Sequence, residues 1–315
     1  MKAASKPLFR DPVFDGAADP VVVWNRGERR WFLFYTNRRA NVPDLPGVSW
    51  VYGSPIGIAE SDDGGATWRY RGTARIDYDE GENTFWAPDV LYHAGVYHMF
   101  LTFVPGVRTD WSGPRRIVHL TSGDLLRWDY RSTLPLASDK VIDASVLHIP
   151  GGAWRLYYNN EEDNKSIYCA GSADLFTWQD GGKVIGDRRG EGPKVFHWKD
   201  RYWMIVDLWQ GLGVYHSPDA RHWTAQAKNL LDIPGHGPDD GVIGNHADVV
   251  VSGGRAYLFY FTHPGRRGPD AAKDASERRR SSIQVVELHC SAGELEADRD
   301  QPTYIDLQPP PSTDG

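Results

Sequence analysis

Short apolar runs separated by turn-forming residues recur along this chain in one fixed order. A first run opens on a small polar or acidic signature, a turn follows, and a second run is rich in aromatic residues. Val21 to Trp24 precedes Trp31 to Tyr35, Val90 to Tyr92 precedes Tyr97 to Phe103, and Val146 to Ile149 precedes Trp154 to Tyr158. Val195 to Trp198 is followed by Tyr202 to Val206, and Val249 to Val251 by Ala256 to Phe261. Alternation with period two and enrichment in β-branched and aromatic residues predict hairpins. A third run completes each unit, at Ile56 to Ala59, Ile117 to Leu120, Ile167 to Ala170, Leu212 to Tyr215 and Ile283 to Leu288. In four units it ends on a Ser-x-Asp turn followed by Trp: Ser61/Asp63/Trp68, Ser122/Asp124/Trp128, Ser172/Asp174/Trp178 and Ser217/Asp219/Trp223. The Ser and Asp oxygens are expected to bond turn amides while the Trp packs the outer strand onto the sheet.

Four strands per unit at a period of roughly 50 to 70 residues predict an all-β, five-bladed β-propeller, because a four-stranded sheet buries both faces only when neighbours stack radially. A β-sandwich with coincidental hairpins is the competing architecture. The first turn, Ser61 to Trp68, fits the Asp-box of sialidases and other propellers. The units span nearly all of the 315 residues, so residues 8–307 read as one domain and 308–315 as a Pro-rich flexible tail.

Composition narrows the partners. Charged residues make up 24% of the chain and the net charge is -7 without a basic stripe, which argues against nucleic acid. Arg278, Arg279 and Arg280 form the densest basic run and read as a solvated loop end. No window approaches membrane-spanning length, and the first ten residues lack the apolar core of a signal peptide, so the expectation is a cytoplasmic protein, or a secreted one if a leader was removed. Cys169 and Cys290 read as buried free thiols. The 13 Trp and 15 Tyr exceed what blade packing explains, and Trp50, Trp111 and Trp209 fall in loops where rings can stack on sugars.

Packing gives no reason for carboxyl groups in one register of an apolar strand. Yet the opening signatures place Asp19, Ala87, Asp143, Glu191 and His246 at what reads as one position. In a propeller the first strand of each blade lines the central channel, so these residues are expected around one mouth. The loops Arg38 to Pro55, Pro105 to Arg116 and Pro264 to Ser281 are longer than hairpin turns and should surround it. Three clustered carboxyls suit glycosidic cleavage, which uses a general acid and a second carboxylate as base or nucleophile; a third raises the acid's pKa.

The order Asp19-Pro20, Trp86-Ala87-Pro88-Asp89, Asp143, Glu191-Gly192-Pro193 and His246 resembles the five-bladed glycoside hydrolases of family 43 and their relatives over about residues 8–307. The resemblance implies Asp19 as general base, Asp143 as the carboxylate that tunes and orients, and Glu191 as general acid. It implies Trp86 beside the sugar, and Arg280 as the substrate-contacting arginine with Arg266 competing for that role. His246 would help hold a central Ca2+ ion or water cluster, with no cofactor required. The implied activity is exo-acting and inverting, on pentosyl residues of the α-L-arabinofuranosidase or β-xylosidase type, with a carbohydrate as partner. A sialidase, a fructosidase-like hydrolase and a non-catalytic carbohydrate-binding propeller remain as alternatives. The first of these requires three arginines at the mouth.

Overall fold

The computed structural model describes residues 1–78, 81–268 and 275–311. Each hairpin expected from the sequence is present, and each gains a third and fourth strand to form an antiparallel sheet. Blade one comprises Ala17–Asn25, Arg30–Asn37, Ile56–Ser61 and Arg69–Thr73. Blade two comprises Thr84–His93, Val96–Val104, Arg116–Ser122 and Arg127–Thr133, and Arg75–Asp77 adds a parallel fifth strand at its rim. Blades three and four run Val141–Ile149, Ala153–Asn160, Ser166–Ser172, Trp178–Ile185, and Glu191–Trp198, Arg201–Asp207, Leu212–Ser217, Thr224–Ala225. Blade five is Asn245–Ser252, Arg255–Thr262, Ser282–Ser291 and Glu294–Ala297. The first strands touch their neighbours in a closed ring, one to five and back to one, which makes the molecule a five-bladed propeller.

A separate apolar core lies between each pair of adjacent blades. Phe34, Ile58, Met99 and Leu120 join blades one and two, for example, and Tyr157, Ile167, Met204 and Tyr215 join blades three and four. The chain ends lash blades five and one together: Leu8 and Phe9 donate to the Ile283 carbonyl, and Trp31 donates to the Leu307 carbonyl. Lys2–Ala3 pairs with Tyr304–Ile305, so strand pairing begins ahead of residue 8. Of the expected tail, Gln308 donates to Ser252 and Arg26 to the Pro311 carbonyl, while residues 312–315 lie outside the described residues.

The Ser-x-Asp turns do the local work their chemistry suggests. Asp174 Oδ1 accepts from the Phe176 and Thr177 amides, Ser172 Oγ accepts from the Leu175 amide, and Trp178 Nε1 donates to the Leu175 carbonyl. The turn needs left-handed backbone at one position, supplied by Gly65, Leu125, Leu175 and Ala220. Among the described residues no helix is long and apolar enough to cross a membrane.

Candidate active site

Every first strand breaks its pairing near its start. Asp19 and Pro20 both lie across from Tyr35, between the pairs Ala18–Thr36 and Val21–Phe34. Ala87 with Pro88, Asp143 with Ala144, and Gly192 with Pro193 repeat this in the next three blades, and His246 is the extra residue in blade five. Such bulges re-aim a side chain, and Pro fits there because the ladder needs no donor. The first bulge residue is left-handed, with φ of 51° at Asp19, 42° at Ala87, 60° at Asp143 and 59° at Gly192. Holding three residues with a Cβ in this region costs on the order of 1–3 kcal/mol each, the kind of strain found at functional sites.

The register is therefore Asp19, Ala87, Asp143, Gly192 and His246. Glu191 stands one residue earlier than expected from the signatures, level with Ala18, Trp86, Ile142 and Asn245. Packing explains the displacement: a Cβ at position 192 would come within 2.6 Å of the His246 ring, so this bulge position must be glycine. The shift still leaves Glu191 on the cavity. Asp19, Trp86, Asp143, Glu191 and His246 all line one recess of about 590 Å3 at the channel mouth.

Arg280 is off this cavity. Its guanidinium is tied to Asp239 at 2.8 and 3.0 Å and to Glu277 at 2.6 Å, and Arg266 faces the recess instead. The triplet at 278–280 is also not a simple solvated end, because Arg279 lies 6.0 Å from the Trp50 ring and bonds the Val42 and Leu45 carbonyls. All three long loops reach the cavity, through Trp50, through Trp111 with Arg115, and through Arg266. The middle of the third, residues 269–274, lies outside the described residues. Trp209, on a short loop, completes the aromatic wall.

The electrostatics divide the carboxyls. Burial works against a charge on Asp19, but Arg38, with one nitrogen 3.1 Å from both carboxylate oxygens, and His246 at 3.5 Å outweigh it and hold Asp19 well below the usual carboxylate range. Asp143 is pushed the other way, to about 7, by burial and by the charges of Glu191 and Asp19, with His246 opposing. Its Oδ2 accepts the Gly192 amide at 3.0 Å, which couples Asp143 to the Glu191 segment. Burial disfavours the His246 imidazolium, yet its bond to Asp19 and the charges of Asp143 and Asp207 raise it to about 9. Glu191 accepts from Lys165 at 3.2 Å and from Trp209 Nε1 at 3.1 Å.

Asp207 is a fourth carboxyl that the signatures did not reveal. It pairs across from Glu191, accepts the His246 and Trp209 amides at 2.9 and 2.8 Å, and is pushed to about 7 by burial and by Glu191. A signal for it was present: Thr36, Thr102, Asn159 and Asp207 are the polar residues level with it on the second strands, and Thr36 and Thr102 likewise accept the bulge amides of Ala87 and Asp143 in the next blade. Arg38, Lys165 and Glu161 were also missed. Arg38 reaches Asp19 from the end of the same blade's second strand, whereas Glu161 and Lys165 act by joining blades two to four in the chain Arg115, Glu161, Lys165, Glu191.

A metal at the channel histidine would have to compete with Asp19, whose Oδ1 lies 3.5 Å from His246 Nδ1, and with the nearby cations Arg38 and Lys194. Two residues further along the strands, the buried Lys194 ammonium bridges Asp89 at 2.9 Å and Asp248 at 2.7 Å. The other oxygens of those carboxylates accept the Val146 and Val22 amides. Among the described residues no group of three or more His, Cys, Asp or Glu is arranged to hold a metal ion. Four arginines, Arg38, Arg115, Arg189 and Arg266, line the recess, but Arg38 is tied to Asp19 and Arg115 to Glu161, so among the described residues no three of them are left without a carboxylate partner.

Residues 87–234 match the model of the glycosyl hydrolases family 32 N-terminal domain. No curated protein sequence matches the chain. Solved structures with the same architecture include a thermostable family-43 glycoside hydrolase, at 20% identity and TM-score 0.68 over 95% of this chain and 99% of that one. A family-43 β-1,3-galactosidase with galactodeoxynojirimycin follows at 15% identity and TM-score 0.67, covering 98% and 100%. A family-43 β-xylosidase/α-arabinofuranosidase from a compost microbial metagenome, in complex with xylotriose, aligns at 16% identity and TM-score 0.64, covering 91% and 96%. The solved structures share the five-bladed propeller fold, and the family 32 match covers residues 87–234, a little under half of the chain.

Proposed function

We propose that the chain is an exo-acting, inverting glycosidase that removes pentosyl residues, of the α-L-arabinofuranosidase or β-xylosidase type. The observation that carries this reading is the division of carboxyls within one recess, Asp19 kept ionised beside Asp143 and Asp207 that keep protons to about pH 7. Asp19 acts as general base on a water, and Glu191 gives a proton to the departing glycosidic oxygen. Like charges buried this close cannot all ionise, so Asp143 and Asp207 keep a proton in the cluster from which Glu191 is recharged. Asp143 holds the Glu191 segment through the Gly192 amide, and Asp207 holds the His246 and Trp209 backbones. Trp50, Trp86 and Trp111 close the sides, which suits the end of a glycan rather than its middle. The imidazolium and the Lys194 ammonium supply positive charge beneath the acids.

The family 32 match favours a second reading, a fructosidase-like enzyme in which Asp19 attacks the sugar directly and configuration is retained. Aryl glycosides of arabinofuranose, xylose, galactose and fructose, followed by NMR of the first-formed anomer, separate the two. Release of arabinose or xylose with inversion is expected. Release of fructose alone, or retention, overturns the pentosyl reading; no release by folded protein favours a carbohydrate-binding propeller.

A further inference from the structure

A second cavity of about 680 Å3 opens beside the first and shares Trp209, Asn245, His263 and Arg266 with it. Trp209 donates to Glu191 Oε1 and also lines this cavity, which sets the cavity directly beside the carboxyl read as the acid. Trp209 is 39% exposed, with Lys165 Nζ 5.4 Å from its ring centroid on one side, which leaves ring surface for a sugar. Val242 and Ile243 add apolar wall, and the charge comes from Arg266 and Arg267.

Of the other cations lining the first recess, Arg38, Arg115 and Lys165 each face a carboxylate, whereas Arg189, like Arg266 and Arg267, has no carboxylate partner among the described residues. Arg266 donates through Nε to the Arg278 carbonyl at 2.9 Å and lies 5.8 Å from the Trp50 ring, and among the described residues no carboxylate pairs with it or with Arg267. Partial burial and the like charges of Arg38 and Arg278 push Arg266 down to about 10, which marks it as uncompensated. Arg267 packs its guanidinium against Gly241, where a Cβ would lie 3.0 Å from Cζ. In a chain of net charge -7, two unpaired guanidiniums on one cavity await an anion. The planar fork suits a carboxylate in particular.

We propose that the second cavity is the leaving-group subsite and selects a sugar residue bearing a carboxylate, a uronosyl residue. The inference rests on the glycosidase reading of the adjoining recess. It is tested with paired substrates that share the cleaved sugar and differ in the leaving residue, a uronic acid or its methyl ester. The acid is expected to be cleaved with a kcat/KM about tenfold or more higher, a preference that shrinks in high salt and falls toward unity in Arg266→Gln/Arg267→Gln. Equal rates, or preference for the ester, overturn it. NMR titration of wild-type protein with free glucuronate and with xylose needs no turnover. Uronate-selective shifts without hydrolysis of any substrate keep the subsite and sink the glycosidase reading, whereas hydrolysis without acid preference sinks the subsite alone.

Discussion

The channel carries two levels of carboxylates, one at and beside the mouth bulges and one two residues beyond the bulges along the first strands, and the fold treats them in opposite ways. In the deeper set, Asp89 and Asp248 share one ammonium, Lys194, and their remaining oxygens are taken by backbone amides. Burial disfavours the Lys194 charge, but Asp248 and Asp89 outweigh it and raise its pKa above the ordinary value, so the charge stays. In the mouth set, four carboxyls face Arg38, His246 and Lys165, and two of the four answer burial by holding protons to about pH 7. A buried charge group with every atom matched is a structural device; one that keeps titrating near neutral pH is equipped for proton transfer.

Breaking the mouth set should cost turnover. Asp19→Asn is expected to lower kcat on a responsive aryl glycoside by about 10²–10⁴-fold, the usual worth of a general base. Steady-state rates on protein with an unchanged circular dichroism spectrum check this. Breaking the deeper set should cost stability instead. Lys194→Met leaves Asp89 and Asp248 facing each other without a cation and is expected to destabilise by about 3–5 kcal/mol in denaturant unfolding.

The smallest effect is a pH dependence that sharpens the contrast. Asp207 holds its proton to about 7 when folded against 3.8 when unfolded, so between these values the folded state binds more protons and stability falls as pH rises. His246, raised to about 9 from 6.5, adds stability that is fully present below pH 6.5 and lost as pH rises toward 9. Asp207→Asn is expected to remove a slope on the order of 1 kcal/mol per pH unit between pH 4 and 7 while leaving the decline above 6.5. Unfolding free energies at pH 5, 7 and 9 measure both portions; an unaltered slope between 5 and 7 would contradict the shift assigned to Asp207.

The repeat made the propeller legible, because alternation and turn chemistry are local and recur five times. Asp19, Asp143, Glu191 and His246 were legible as departures from an apolar register. What sequence could not show is the bulge, which moves the true blade-four position to Gly192 and appears only when strand is set against strand. Asp207 and Lys194 stayed hidden for a similar reason: a polar residue at a strand end, or a lone Lys within a strand, looks solvated until neighbouring blades close over it. Arg280 was misplaced because its partner, Asp239, lies on the segment between blades four and five, which no repeat describes.

The claim that the mouth ring is a hydrolytic site is tested most directly by Glu191→Gln, which keeps one acceptor oxygen, for either Trp209 or Lys165, but has no acidic proton to give. Its turnover on an aryl glycoside with a poor leaving group, measured beside wild-type protein at pH 6, is expected to fall by about 10²–10⁴-fold with the unfolding midpoint little changed. Turnover equal to that of the wild type would contradict the assignment of Glu191 as the acid.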